Sequence, residues 1–278
     1  MRFAAILPWA AAAIVAAGPG PAAAASLNAE YAISLAGMQI GTADLSASLG
    51  KRYRMDIQAR LTGLVGAITG GSGGASAAGL LTGNRPMPAS YAVVSRTSSD
   101  QRTVRFGMSR GNVASVEIVP PIEEKEDRVP VTNVHRRGVL DPVSALVMPV
   151  FGRGDPLDRA ICNRTLPVFD GAARFDVVLS YAETRTVEKP GYSGPVIVCN
   201  ARYVPVAGHR PGRAATKFME DNRDLSVWLA PVEGTRVFMP LRISVRTMMG
   251  TSVIEATRWR AESDGSPNPV SARRGRTQ

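Results

Sequence analysis

Gly70-Gly71-Ser72-Gly73-Gly74 is the part of this 278-residue chain that looks most like catalytic machinery. It fits G-x-S-x-G, the pattern that holds a serine nucleophile on a sharp turn between a strand and a helix. Leu64–Thr69 reads as a strand and Ala75–Leu81 as a helix, so the local order suits such an elbow. Asp170 and His209 follow Ser72 in the chain order of a hydrolase triad. The elbow, however, belongs to sheets built from alternating strands and helices, and the rest of the chain lacks that alternation. The glycines also fail as a phosphate loop. No G-K-S or G-K-T closes them, and G-x-G-x-x-G stops at Ser76.

The other reactive residue types are sparse. Cys162 and Cys199 are the two cysteines, 37 positions apart, and in an oxidising compartment such a pair reads as a disulfide. A nucleophilic cysteine is the competing reading. His135 in "NVHRRGVLDP" and His209 in "PVAGHRPGR" have no second nitrogen or sulfur at metal-ligand spacing. Asp170-Gly171 reads as a turn, and Glu123–Asp127 as a solvated loop. The expectation is a protein with no catalytic residues, metal or cofactor. A hydrolase using Ser72 or an unpaired cysteine is the remaining catalytic alternative.

The N-terminus sets the compartment. Met1-Arg2 is a short basic region, Ala4–Ala17 is apolar, Gly18–Pro21 breaks the run, and Ala22–Ala25 offers a small-residue cleavage site. Residues 1–25 therefore read as a secretory signal peptide, and the protein as periplasmic. Residues 26–262 read as a single β domain, and 263–278 as a disordered basic tail. The net charge of +10 suits anionic lipid headgroups, other acidic envelope polymers or envelope proteins. Export excludes nucleic acid as a partner.

The elements that must position any site are strands. Tyr31, Ile33 and Leu35 alternate with small or polar residues, as do Tyr53, Met55, Ile57, Ala59 and Leu61. Phe175–Tyr181, Val196–Val204 and Leu225–Leu229 follow, and Val237–Val245 alternates most clearly. Asp141-Pro142 is a helix start with Asp141 as N-cap, and the apolar run behind it predicts one short helix ending before Pro149. These patterns predict a mainly β, antiparallel meander curled into a barrel or wrapped sheet, with the short helix plugging or covering it. Between Leu61 and Ser90 lie 28 residues, long for a meander. Gly70, Gly71, Ser72, Gly73 and Gly74 are accordingly expected to form a mobile flap at the rim of the sheet.

"VLDPVSALVMPV", "CNRTLPVFDGAARFDVVLSY", "VIVCNARYVPVAGHRP" and "LSVWLAPVEGTRVFMPLRISVRTMMGTSVIEA" carry a family resemblance. The sequence resembles the exported Gram-negative envelope proteins of the domain of unknown function 3108 family, from about Tyr31 to Ala261. That resemblance implies an envelope protein and hands over no catalytic residues. It also implies an open or incomplete β-barrel with one or two short plugging helices, similar to the periplasmic lipoprotein carriers, an analogy that carries no function by itself. The functional expectation is a non-enzymatic protein that binds a lipid or other apolar ligand, or a protein partner, in a concave sheet. The alternative is a structural scaffold for the cell envelope.

Overall fold

Residues 24–83, 85–150 and 157–263 are described by the computed structural model. Alternation settles which face of each early strand is buried. In β1 (Ala25–Leu35), Leu27, Ala29 and Tyr31 are buried while Asn28 and Glu30 are exposed. In β2 (Met38–Leu49), Ala43, Leu45, Ala47 and Leu49 point inward between Asp44, Ser46 and Ser48. In β3 (Arg52–Leu61), Tyr53 and Met55 do the same between Arg52, Arg54 and Asp56. A short helix, α1 (Gly63–Thr69), then leads to β4 (Ser72–Thr82), β5 (Arg85–Arg96), β6 (Gln101–Ser109) and β7 (Asn112–Val119). The second half holds β8 (Met148–Pro149), β9 (Thr165–Phe169), β10 (Arg174–Lys189) and β11 (Tyr192–Ala207). After α2 (Ala214–Asp221) come β12 (Leu225–Pro231), β13 (Val237–Thr247) and β14 (Gly250–Ser263).

These strands form one antiparallel sheet in the order β7-β6-β5-β4-β3-β2-β1-β14-β13-β12-β11-β10-β9, with β8 attached to β13. The first and last strands meet in the middle, and β7 and β9 are the open edges. The sheet curls until those edges approach. Phe106 of β6 and Phe169 of β9 have ring centroids 5.7 Å apart. Gly171, in the β9–β10 turn, has φ +102°, and a Cβ there would sit 2.4 Å from the Val104 side chain. The crossover from β7 bridges the remaining gap. Val139 N donates to Gly111 O at 3.0 Å, while Leu140 N donates to Pro167 O at 2.7 Å and Leu140 O accepts from Phe169 N at 2.8 Å. The barrel is therefore incomplete, as the family resemblance implies.

The expected plugging helix is shorter than its sequence suggests. Ser144–Leu146 is a single 3₁₀ turn. Val147 is already extended, and Met148–Pro149 pairs with Val237 and Phe238 as β8. Pairing with β13 removes the residues a helix needs to continue, and Pro149 could not sit in its interior.

The core has two parts. One cluster joins Leu27, Leu49, Tyr53, Met55 and Trp259 to Val196, Val198, Ala230 and Met239 of the second half. The other lies on the opposite face of the second half, with Ile197, Cys199, Leu229 and Phe238 under Met148, Val150, Ile161 and Cys162. The β10–β13 sheet is thus apolar on both faces. β1 begins at Ala25 and β14 runs to Ser263, one residue beyond each expected domain boundary. Apart from those inner edges, the expected signal peptide (1–25) and basic tail (263–278) lie outside the described residues.

Candidate functional site

Gly70–Gly74 does not form a flap. Gly70, at φ +58°, ends α1 and donates to Gly66 O at 2.8 Å, while Gly71 O accepts from Leu61 N at 2.7 Å. Ser72, Gly73 and Gly74 are laddered on both sides, to Arg60, Ala59 and Gln58 of β3 and to Arg96, Ser95 and Val94 of β5. The local order is helix, Gly-Gly, strand, the reverse of a nucleophile elbow. Ser72 is exposed on the sheet, whereas His209 follows β11 and its carbonyl accepts from Val129 N at 2.9 Å. Gly73 and Gly74 are small because neighbours occupy the space above them. A Cβ on Gly74 would sit 2.7 Å from the Gln58 amide oxygen, and one on Gly73 2.9 Å from Val94 O. Beside these glycines lies a hollow of about 330 Å³ walled by Asp56, Gln58 and Arg96 and open along the sheet.

The cysteines are joined. Cys162 and Cys199 form a disulfide with Cα atoms 5.4 Å apart, within the usual range. The bond pins the segment ending in the Arg159–Cys162 turn onto β11, and so fixes the cover over the second core cluster. That cover is partial. Next to it, a groove of about 240 Å³ runs across β9, β10, β12 and β13, walled by Pro142, Ala145, Leu146 and Met148 of the crossover. Its floor includes Phe175, Val177, Val227 and Ile243, and its only polar lining residues are Ser226 and Ser244. Leu179 and Leu229 bury the inner end, whereas Leu225 and Val245 at the other end are partly exposed.

A bulge makes this floor. Trp228 pairs with Arg242 but Leu229 pairs with Pro240, so Leu241 is the extra residue. Side-chain parity flips there: Met239 and Leu241 join the first core cluster, while Pro240, Ile243 and Val245 line the groove. The apparently unbroken alternation Val237–Val245 conceals this switch. Pro240 within the strand is the one sequence signal that marks it. On the far face, Trp228 lies between the guanidinium groups of Arg185 and Arg242, at 5.0 and 5.1 Å, and Arg242 meets Glu255 at 3.0 Å.

The groove wall is anchored by a buried polar cluster. Asp141 is fully buried and caps the 3₁₀ turn, its Oδ1 accepting from Val143 N at 3.0 Å and Ser144 N at 2.8 Å. The Ser144 and Tyr53 hydroxyls are 2.6 Å apart, tying the crossover to β3. Burial raises the Asp141 pKa above its ordinary value, against the hydrogen bonds from Ser144 and the backbone. Asp141 Oδ2 has no partner. At the partly exposed end, Asn222 Nδ2 donates to Arg246 O at 2.8 Å, and Arg246 meets Asp224 at 3.3 Å. Among the described residues no group of three or more His, Cys, Asp or Glu side chains could hold a metal ion. No helix among them is long and apolar enough to cross a membrane.

An open, curled antiparallel sheet with an apolar groove defines a β-barrel-like protein. The chain belongs to the family of proteins of unknown function DUF3108, whose model matches residues 30–257. Among solved structures it is similar to a β-barrel-like protein of domain of unknown function DUF1849 from Brucella abortus. That likeness has 6% identity and a TM-score of 0.50, covering 87% of this chain and 98% of the other. It is also similar, at 7% identity and a TM-score of 0.34, to a candidate lipoprotein from Parabacteroides distasonis, over 86% and 97% of the two chains. No curated protein matches the sequence.

Proposed function

We propose that this chain is an exported, non-enzymatic envelope protein that binds an acyl chain or similar amphipathic ligand in the groove beside the crossover. The observation that supports this reading is the lining: carbon throughout except Ser226 and Ser244, deep at Leu179 and Leu229, and partly exposed at Leu225 and Val245. Ligand sites are typically apolar concavities with few polar groups, and this groove of about 240 Å³, just below their usual range, holds a segment of one narrow chain with the rest outside. Export rests on the leader-like residues 1–25 and on the disulfide, which persists in oxidising compartments.

Binding of the fluorescent probe N-phenyl-1-naphthylamine, and its displacement by palmitate, tests the groove. Val227→Arg places a charge on the floor and is expected to weaken probe binding more than tenfold, because an unpaired charge there loses its hydration. An absence of probe binding by the wild type, or unchanged binding by a folded V227R, refutes the reading. N-terminal sequencing of protein recovered from the periplasm is expected to begin near Ser26.

A further inference from the structure

Three methionines stand on two neighbouring hairpin tips. Met38 follows the Ala36-Gly37 turn between β1 and β2 and is 70% exposed. Met248 and Met249 form the turn between β13 and β14 and are 61% and 76% exposed. The β1–β14 ladder sets these turns side by side: Ala36 N donates to Thr251 O at 2.9 Å, and a Cβ on Gly250 would lie 2.8 Å from that of Ala36. Tight turns favour Asn, Asp and Gly, so turn geometry does not call for methionine. Single exposed apolar residues are ordinary, but a cluster of them marks a contact surface. Methionine's flexible, polarizable chain suits an irregular partner.

The tips adjoin the groove's partly exposed end. Val245, in its lining, is three residues from Met248, about 10 Å along the strand. Lys217, Arg223 and Arg246 are exposed at the same end, among Glu220, Asp221 and Asp224. The local charges balance, so long-range attraction comes from the net charge of the rest of the chain, +10 in all and still strongly positive without Arg2 of the leader, which favours an anionic surface.

We propose that this end of the sheet docks on an anionic lipid bilayer. Met38, Met248 and Met249 enter the boundary between headgroups and acyl chains, and the groove's partly exposed end faces the membrane. The second clause rests on the groove as an acyl-chain site; the docking rests on the tips alone.

Co-sedimentation of the full chain with vesicles tests it. Binding is expected to vesicles rich in phosphatidylglycerol, to weaken as salt rises, and to be poorer to phosphatidylcholine. The variant M38S/M248S/M249S is expected to lower the partition coefficient at least thirtyfold, since each fully inserted methionine accounts for about tenfold. Its probe binding in the absence of vesicles stays unchanged, which shows that the groove is intact. The proposal is overturned if the wild type ignores anionic vesicles, or if the folded triple variant binds them equally well. It also fails if the methionines instead join two copies into a dimer that the serines dissociate. Failure of wild-type probe binding counts against the groove alone, because vesicle binding is read separately.

Discussion

Asp141 holds the wall of the groove, and its replacement gives a quantitative test of that role. Asp141→Ala removes the acceptor for two backbone N–H groups, of Val143 and Ser144, in a site with no solvent exposure. Each buried donor left unpaired costs about 1–3 kcal/mol, or about 2–6 kcal/mol together. Removing a carboxylate whose charge is disfavoured by burial offsets part of that loss, at about 1.4 kcal/mol per pKa unit. The net expectation is a destabilisation of about 2–4 kcal/mol. Asp141→Asn keeps an oxygen for both donors and drops the charge, so it is expected to fall within about 1 kcal/mol of the wild type near neutral pH.

The pH dependence follows from the direction of the shift. The folded-state pKa of Asp141 is raised above 3.8, so the native state binds its proton more readily than the unfolded chain does. Its stabilising contribution is full below the unfolded pKa and is lost as pH rises through the raised value. D141N does not titrate. Its stability relative to wild type must therefore rise with pH from about 4 up to the raised pKa and level off above it. Guanidinium melts of the wild type, D141A and D141N across this range provide the measurement. If D141N loses as much as D141A, the acceptor argument is wrong. A relative stability that falls as pH rises would reverse the assigned shift.

Two further outcomes are expected. Cys162→Ser with Cys199→Ser opens a loop of 37 residues and is expected to cost about 4 kcal/mol, read from guanidinium midpoints. Wild type melted with a reductant should match the double variant, and a reductant-insensitive midpoint would contradict this. Gly79→Ala would put a Cβ 2.3 Å from Met87 O and 2.7 Å from the Tyr53 hydroxyl, and is expected to destabilise by about 2–3 kcal/mol. Gly107→Ala, with nothing within 4 Å, serves as the neutral control in the same thermal melts.

Much of the architecture is legible in residue order. Period-2 alternation marks β1, β2 and β3 because one face meets the core and the other meets water. The cap at Asp141 is also readable, since it depends on residues two and three positions away. What escapes is decided by distant neighbours. Ser72–Thr82 has almost no strand propensity, yet it lies between β3 and β5, where Gln58 and Tyr53 occupy the space that its own side chains would need. Read locally, Gly, Ala and Ser there suggest a flap followed by a helix. The groove floor escapes for a related reason. The bulge at Leu241 is set by pairing with Trp228 and Leu229, and it reverses which residues of β13 share a face.

The groove itself follows from a mismatch between a face and its cover. The β10–β13 sheet presents Val196, Val198, Ala230 and Met239 to the first core cluster, and its other face, carrying Ile197, Leu229 and Phe238, is apolar as well, so it too is driven out of water. Among the described residues, segments 142–150 and 157–162 cover that face, the first anchored by the Asp141 cap and the second by the Cys162–Cys199 bond. Met148, Val150 and Ile161 bury Ile197, Leu229 and Phe238 but leave Val227, Ile243 and Val245 only half-buried. Those three stay partly exposed within a groove rather than on a convex surface, where scattered apolar residues are ordinary. At about 25 cal/mol per Å² of apolar surface, a ligand chain of the kind proposed would, by completing the cover, recover the stabilisation that the short crossover leaves unmade.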